Sequence, residues 1–367
     1  MSRLFEPLSF VRGPAMKNRF MLAPLTNSQS HEDGRLSDEE FRWLTMRAEG
    51  GFGHTMTCAA HVQARGQGFP GQLGVFSDLH VPALTRLAST IRAQGSVATI
   101  QLHHAGRRSP KDLIGATPVS PSDDAETGAR ALTGAEVEQL TEDFILAALR
   151  AERAGFDGVE LHGAHGYILC AFLSAETNRR DDQWGGSLEN RSRVLRDIIA
   201  GIRRHTRPDF TLGLRLSPER FGVKLAEIRD LAAELMHSGA LDFIDMSLWD
   251  VFKEPVEEEF HGKTLMAYFT ELDRGQTRLG VAGKITGGDD AAKVLEEGAD
   301  FAIIGRAAIL HHDFPKRVAA NPHFKQIALP VTRAYLAAEG LSPKFIAYMQ
   351  NWKGFVAEEE PAVAAGS

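Results

Sequence analysis

Eight short apolar segments recur along the 367-residue chain, and each is followed by glycine, proline or polar residues and then by a helical pattern. This alternation is typical of β–α units. Eight such units predict an α/β fold, a single (β/α)8 TIM barrel, rather than an open doubly wound sheet. The predicted strands are Phe20–Leu22, His54–Cys58, Val97–Leu102, Gly158–His162, Thr211–Leu216, Phe243–Ser247, Leu279–Ala282 and Phe301–Ile304.

The helices of this pattern have recognisable starts. Ser37 with Glu40, and Thr133 with Glu136, have the spacing of capping boxes. No G-x-G-x-x-G directly follows a predicted strand, so a Rossmann dinucleotide domain is not expected. We predict one barrel domain over residues 1–345 and a partly disordered C-terminal tail over residues 346–367.

Composition narrows the possible partners. The chain has 48 Asp+Glu against 41 Lys+Arg and a net charge of -7, without a basic stripe. This balance argues against binding to nucleic acid or to an anionic membrane surface. Two cysteines are too few for an iron–sulfur cluster or a disulfide scaffold, and no signal-peptide segment begins the chain. We expect a cytoplasmic protein that acts on a small molecule and can form a homo-oligomer.

Polar residues and glycines follow every predicted strand. In a barrel, the loops after the strands gather on one face, where active sites lie. Two of these loops, over residues 103–132 and 163–189, are long enough to be functional. We therefore expect one site on this face. The residues that end or follow the strands are Pro24-Leu25-Thr26, Ala59-Ala60-His61, Gln101-Leu102-His103-His104, His162-Gly163-Ala164-His165-Gly166-Tyr167, Arg215, Ser247, Trp249, Gly283-Lys284 and Gly305-Arg306.

The sharpest signal is the cluster of His162, His165 and Tyr167. Two imidazoles beside a phenol can donate to an electron-rich oxygen and provide a proton, which suits the stabilisation and protonation of an enolate. A lone histidine at a strand end is usually a buried structural residue, but three such groups within six residues favour catalysis. A metal site is not expected, because the spacing is not that of a helical zinc motif and no carboxylate follows the eighth strand.

Two further groups of residues predict a larger ligand. Glycines after strands seven and eight, together with Arg306, resemble the phosphate site of many barrels, although tight turns and a surface arginine explain them as well. Gln101 can donate and accept toward the edge of a flat heterocycle, and Arg215 can stabilise negative charge on a reduced ring. The alternative for these two residues is a polar plug in the barrel.

At these residues the sequence resembles the old yellow enzyme family of flavin-dependent ene-reductases. The resemblance covers roughly residues 3 to 320, and two of its motifs are highly specific. Some relatives carry Cys in place of Thr26 and a Tyr shortly after it, whereas Asn27, Ser28 and Gln29 follow here. The motifs are Leu22-Ala-Pro-Leu-Thr26, Gln101-Leu-His-His-Ala-Gly-Arg107, Gly158-Val-Glu-Leu-His-Gly-Ala-His-Gly-Tyr167 and Asn178-Arg-Arg-Asp-Asp-Gln-Trp-Gly-Gly-Ser-Leu-Glu-Asn-Arg191.

The resemblance implies tightly bound FMN, with NADPH or NADH as reductant. His162 and His165 would then bind the substrate's carbonyl or nitro oxygen, Tyr167 would donate the proton, and Trp249 would shape the substrate wall. The segment Asn178–Arg191 would tie down the long loop. The residues implied to hold FMN are Pro24, Thr26, Ala59 and Gln101 along the isoalloxazine, Arg215 at its N1–C2=O side, and Gly283, Gly305 and Arg306 at its phosphate.

The mechanism implied is ping-pong reduction of activated C=C bonds in α,β-unsaturated carbonyl or nitro compounds. Two alternatives stay open within the same fold. The flavin could instead oxidise or demethylate an amine or desaturate a ketone, or the chain could be a flavin-binding module without turnover. Trp352, in the C-terminal segment, could cap a neighbouring molecule's site or pack on its own barrel.

Overall fold

A computed structural model describes residues 3–358 of the chain. Eight parallel strands close into a barrel in the order β1-β10-β9-β8-β7-β6-β3-β2, which confirms the predicted fold class. The short strands β4 and β5 form a separate two-stranded sheet in the loop after β3. The strands are β1 Phe20–Leu22, β2 His54–His61, β3 Val97–His103, β4 Val119–Ser120, β5 Arg130–Ala131, β6 Gly158–Gly163, β7 Thr211–Leu216, β8 Phe243–Ser247, β9 Arg278–Ala282 and β10 Phe301–Ile304.

The observed barrel strands start and end close to the predicted positions. The predicted bounds of β1, β7, β8 and β10 are those of the structure, and β3, β6 and β9 are each one residue longer. The largest difference is in β2, which continues past Cys58 to His61. A register shift between Met56 and Ala59 interrupts its pairing with β3, and pairing then resumes with Ala59 opposite Gln101.

Helices cover the outside of the barrel between the strands. The long helix that starts at Gly134 has the predicted capping box, in which the Thr133 hydroxyl and the Glu136 carboxylate each accept a backbone N–H. The α-helices are α1 Asp38–Glu49, α2 Val81–Ala93, α3 Lys111–Ile114, α4 Gly134–Arg153, α5 Ile168–Leu173, α6 Leu188–Arg191, α7 Arg193–His205, α8 Leu225–His237, α9 Ala267–Thr270, α10 Gly288–Glu296, α11 Arg306–Leu310, α12 Phe314–Ala320, α13 Arg333–Ala338 and α14 Pro343–Met349.

The capping box predicted at the start of α1 is only half present. The Ser37 hydroxyl accepts the Glu40 backbone N–H, but the Glu40 carboxylate turns into the core. There it accepts hydrogen bonds from Asn27 (3.0 Å) and Ser30, and the Cys58 thiol lies 2.9 Å from it. The carboxylate therefore joins the loop after β1 to strand β2, and it satisfies buried polar partners there instead of the Ser37 backbone N–H.

Aromatic rings fill the lower part of the barrel. The rings of Phe243 and Phe301 lie 6.0 Å apart, and Phe10 packs on Phe243 at 5.6 Å. A Cβ on Gly213 would lie 2.1 Å from Phe243, so only glycine lets that ring fill the barrel. His54, the first residue of β2, packs on this layer at 5.5 Å from Phe243, and the predicted site residues lie above it, at the carboxyl ends of the strands.

Residue 345, the predicted end of the barrel domain, lies inside α14. Ile346, Met349 and Phe355 are buried, and Val331 pairs with Val356. The apolar side chains of this segment therefore belong to the core of the barrel, and the part of the predicted tail at 359–367 lies outside the described residues. Among residues 3–358, no helix combines the length and the apolar character that crossing a bilayer requires.

Candidate active site

Strand register places the predicted site residues around one mouth of the barrel. Gln101 is opposite both Ala59 and Glu160, and Arg215 is opposite both His162 and Asp245. Gln101, His162 and Arg215 are buried at the carboxyl ends of their strands. Pro24, Thr26, Ala59 and Tyr167 are half-buried around them.

Four rings form a compact cluster on one side of this mouth. The His162 ring centroid lies 5.1 Å from that of His165 and 5.0 Å from that of Tyr167. His103, at the end of β3, packs edge-on against Tyr167 at 4.4 Å and lies 5.3 Å from His162. The structure thus brings the three predicted residues together and adds His103, which the sequence analysis placed on this face without giving it a role.

Hydrogen bonds determine which imidazole nitrogens can donate into the mouth. Nδ1 of His162 accepts the Ala164 N–H at 3.3 Å, which leaves the proton on Nε2. Nε2 of His165 lies 2.8 Å from the Ser247 hydroxyl, which also accepts from Arg215 at 3.3 Å. The Ser247 hydroxyl keeps a proton and a second lone pair, so His165 Nε2 is engaged in either tautomer, and a donor into the mouth requires the tautomer protonated on Nδ1.

Both histidines are neutral in the folded protein. Burial, followed by the charges of Arg215 and Arg108, lowers the pKa of His165 to about 3. Burial also lowers the pKa of His162 far below its usual range, and His165 and His103 lower it further. Each ring therefore offers a single N–H donor and no positive charge.

The loop after β6 has an unusual backbone conformation at His165, where φ is +61°. Non-glycine residues rarely adopt this conformation without support. Its N–H donates to the Ser217 hydroxyl at 3.0 Å, and its carbonyl accepts from Arg108 at 2.7 Å. The Arg108 guanidinium also lies 4.8 Å from the centre of the Tyr167 ring, so one arginine holds both residues in position.

Below the rings lies a layer of buried charged and amide groups. Gln101 Nε2 donates to Glu160 Oε1 at 2.7 Å. Arg215 Nε lies 2.9 Å from Asp245 Oδ2. These four side chains are hereafter called the floor cluster, and its two acids were missed by the sequence analysis. The sequence signal that could have revealed these acids is one carboxylate within a buried strand, Glu160 in β6 and Asp245 in β8.

The glycines predicted for phosphate binding differ in their surroundings. A Cβ on Gly283 would lie 2.8 Å from the backbone of Trp249 and Asp250, and a Cβ on Gly288 would lie 2.1 Å from the Pro322 carbonyl. Backbone packing thus explains these two glycines. Gly305 is different, since its nearest neighbour would be a Leu25 methyl at 3.9 Å. Arg306 follows it, exposed and without an ion pair in the described part of the chain.

Two exposed aromatic side chains, Trp249 and Phe221, lie after strands of the barrel. Trp249 is 61% exposed and has a φ of +67°, and Arg220 lies 5.4 Å from its ring centre. Among the described residues it makes no ring contact with the site histidines, whereas Phe221 lies 6.1 Å from His165. Of these two residues, Phe221 is the one whose ring borders the histidines.

Tyr348 of α14 is a further residue that the sequence analysis did not assign to the site. Burial raises its pKa, while hydrogen bonds with the side chains of Trp352 and Thr26 oppose that rise and the nearby Tyr167 adds to it. The C-terminal helix thus brings a phenol to Thr26 of its own barrel. No periodicity in the sequence marks this contact, because it joins residues more than 300 positions apart.

The motif between residues 178 and 191 ties the two long loops together. Arg180 Nη1 donates to the carbonyls of Pro121 (2.8 Å) and Leu132 (2.6 Å) in the loop after β3. Asn178 Nδ2 donates to two carbonyls of its own loop. These bonds agree with the structural role expected for the motif.

The residues at the mouth fit FMN in their chemistry. Because Gln101 Nε2 is bound to Glu160, its Oε1 remains for a ring N–H. Arg215 Nη1 has no partner within residues 3–358, so a guanidinium N–H remains for a ring carbonyl. Gly305 opens onto free space beside Arg306, where a phosphate can approach the backbone.

Comparisons with known proteins agree with this arrangement. Residues 3–323 match the model of the NADH:flavin oxidoreductase / NADH oxidase family. The chain is 36% identical over 326 residues to the probable NADH-dependent flavin oxidoreductase YqiG of Bacillus subtilis (strain 168), covering 86% of this chain and 87% of the relative.

Two solved structures are also similar to this chain. The old yellow enzyme homologue from Zymomonas mobilis has a TM-score of 0.78 and 27% identity, covering 93% of this chain and 98% of that one. Morphinone reductase in complex with tetrahydroNAD has a TM-score of 0.75 and 26% identity, covering 91% and 93%.

Proposed function

The chain belongs to the NADH:flavin oxidoreductase / NADH oxidase family, and we propose that it reduces activated C=C bonds of α,β-unsaturated carbonyl or nitro compounds. Its cofactor is FMN and its reductant is NAD(P)H, as in the old yellow enzyme family. The observation that carries the proposal is the pair of neutral imidazole N–H donors beside the Tyr167 phenol.

In this proposal each residue of the ring cluster has a separate task. His162 Nε2–H and His165 Nδ1–H bind the carbonyl or nitro oxygen and draw electron density away from the C=C bond. Tyr167 delivers a proton from its hydroxyl to the α-carbon. FMN, when bound, supplies the redox chemistry by accepting a hydride from NAD(P)H and passing it to the β-carbon.

The residues proposed to hold FMN are those carried over from the family resemblance. Gln101 and Arg215 would contact the ring from the floor, and Gly305 with Arg306 would hold the phosphate. The open surroundings of Gly305 favour it over Gly283 for this task. Pro24, Thr26 and Ala59 line the same mouth.

We further propose that NAD(P)H and the alkene bind in turn at the same place, which is ping-pong order. The support is geometric, because the donors of His162 and His165 and the phenol of Tyr167 all converge on one mouth. A substrate bound there occupies the space that the nicotinamide needs, so the two cannot react together.

The visible spectrum of the purified protein tests the proposal. A yellow preparation should bleach when NAD(P)H is added without oxygen, and an enone should restore the colour. Bleaching of the oxidised flavin by an amine or by a saturated ketone, without NAD(P)H, would assign amine oxidation or ketone desaturation instead. Colour that NAD(P)H does not change would identify a flavin-binding module.

A further inference from the structure

The floor cluster contains two acids and only one base. Glu160 on β6 and Asp245 on β8 are fully buried, and Arg215 on β7 lies between their strands. The other neighbour of Glu160, Gln101 on β3, is neutral. With both acids ionised, this buried group carries one uncompensated negative charge, which is costly in a medium of low dielectric constant.

Oxygen atoms in the cluster also lack donors. Glu160 Oε2 and both Asp245 oxygens are buried and have no hydrogen-bond donor within the described residues. The ion pair between Arg215 Nε and Asp245 brings the charges together at 2.9 Å but does not align the N–H with an oxygen. A carboxylic acid proton would give these oxygens a donor that Gln101 and Arg215 do not supply in the observed geometry.

We propose that Glu160 and Asp245 share one proton, so that together with Arg215 they form a neutral buried group at the floor of the site. The proton is mainly on Glu160, because Arg215 is paired with Asp245. Nothing in the family comparison assigns a role to either acid. Both are positioning residues, since they act through Gln101 and Arg215.

The direction of the titration agrees with this charge count. Burial, followed by the negative charge of Asp245, raises the pKa of Glu160 to about 8, although Arg215 and the bond from Gln101 oppose the rise. Burial also raises the pKa of Asp245, and Arg215 opposes it. The neighbouring His162 and His165 are neutral, so they do not change the charge count.

The shared proton has a consequence for FMN, which rests on the placement of the ring over Gln101 and Arg215 proposed above. Reduction adds negative charge to the ring. When Glu160 is ionised, a second negative charge lies beneath it, so reduction becomes harder. By linkage, at a pH near or above the pKa of Glu160, reduction of the ring favours uptake of a solvent proton by Glu160, beyond the hydride that NAD(P)H supplies.

Infrared spectroscopy of the apoprotein tests the shared proton without flavin. The wild type should show the carbonyl stretch of a protonated carboxylic acid at neutral pH. Glu160→Gln and Asp245→Asn should both lose this band, because one remaining carboxylate then matches one guanidinium. A band that persists in Asp245→Asn would show an ordinary buried acid and would overturn the proposal.

Glu40 supplies the matched control, because it is a fully buried acid whose pKa burial raises, opposed by hydrogen bonds from Cys58, Ser30 and Asn27. Glu40→Gln should leave the Glu160 band in place. Glu160→Gln keeps an oxygen to accept from Gln101, so it removes the titration without removing that hydrogen bond.

The reduction potential of bound FMN provides the second readout. In the wild type and in Glu40→Gln, the potential should fall more steeply with pH near the pKa of Glu160 than in Glu160→Gln. Superimposable pH profiles would overturn the link between the acid and the flavin. If the infrared bands behave as expected but all profiles coincide, the placement of FMN is wrong and the shared proton stands.

Discussion

His165 Nε2 lies 2.8 Å from the hydroxyl of Ser247, a contact that joins the loop after β6 to the last residue of β8. This bond determines which nitrogen of His165 can donate to a substrate. Ser247→Ala should weaken the binding of phenol-like ligands and slow alkene reduction by about fivefold, the loss expected for about 1 kcal/mol. Titration of the flavin spectrum with a phenol measures the change, and Ser238→Ala, on the far side of the barrel, is the control.

Loss of both imidazole donors should be far more severe. In the double variant His162→Ala with His165→Ala, no N–H remains for the substrate oxygen. Phenol binding and hydride transfer to enones should both fall by about 10²-fold or more. Rapid-mixing measurement of flavin reoxidation gives the rate, and a double variant that reoxidises as fast as the Ser247→Ala variant would contradict the assignment.

Tyr167→Phe should remove proton delivery alone. Reduction by NAD(P)H should remain nearly normal, while enone turnover falls by roughly 10²–10⁴-fold, the range for a lost general acid. A nitroalkene is the internal control, because its reduced nitronate is stable enough to leave without a proton. Stopped-flow traces should therefore show near-normal reoxidation with the nitroalkene, and equal slowing with both substrates would mean that Tyr167 does more than donate.

Arg306→Ala should weaken the retention of FMN. A hydrogen bond to a charged group contributes about 1.5–3 kcal/mol, which corresponds to about 10–100-fold in the dissociation constant. Fluorescence of released flavin after dialysis measures the loss. Arg42→Ala, which removes an exposed arginine from α1, is the matched control. Full retention in Arg306→Ala would show that the phosphate lies elsewhere.

Buried histidines should make the protein sensitive to acid. Burial lowers the pKa of His54 and His104 to about 3 and that of His61 to about 4. An unfolded histidine titrates near about 6.5, so below that pH the unfolded chain binds protons that the folded chain excludes. These residues contribute their full stability above about pH 6.5, and it is lost as the pH falls toward their folded values.

Urea unfolding at a series of pH values tests this expectation. Each such histidine should steepen the fall in the free energy of unfolding with decreasing pH by up to about 1.4 kcal/mol per pH unit. Burial raises the pKa of Glu160 and Glu40, which opposes part of the decline. The informative comparison is therefore between His54→Gln and His205→Gln, which replaces an exposed histidine. The free energy of unfolding should fall less steeply with decreasing pH in His54→Gln than in the wild type, and His205→Gln should follow the wild type. Parallel curves for all three proteins would contradict the assignment.

The sequence by itself determined the barrel and most of the ring cluster. Strand positions followed from the apolar segments, since a strand buried on both faces needs consecutive apolar residues. His162, His165 and Tyr167 could be grouped because they lie within six positions of one another, and strand direction placed them on the same face as Gln101 and Arg215.

Only the tertiary structure decided which residues complete the site. The floor cluster depends on the register between β6, β7 and β8, which brings Glu160 and Asp245 to Arg215 across the barrel. The contact of Tyr348 with Thr26 depends on where the C-terminal helix packs. Packing also distinguished the predicted phosphate glycines. A neighbouring backbone leaves no room for a side chain at Gly283, whereas there is free space beside Gly305. Local sequence carries no record of such distant neighbours, and these contacts exist only once the barrel closes.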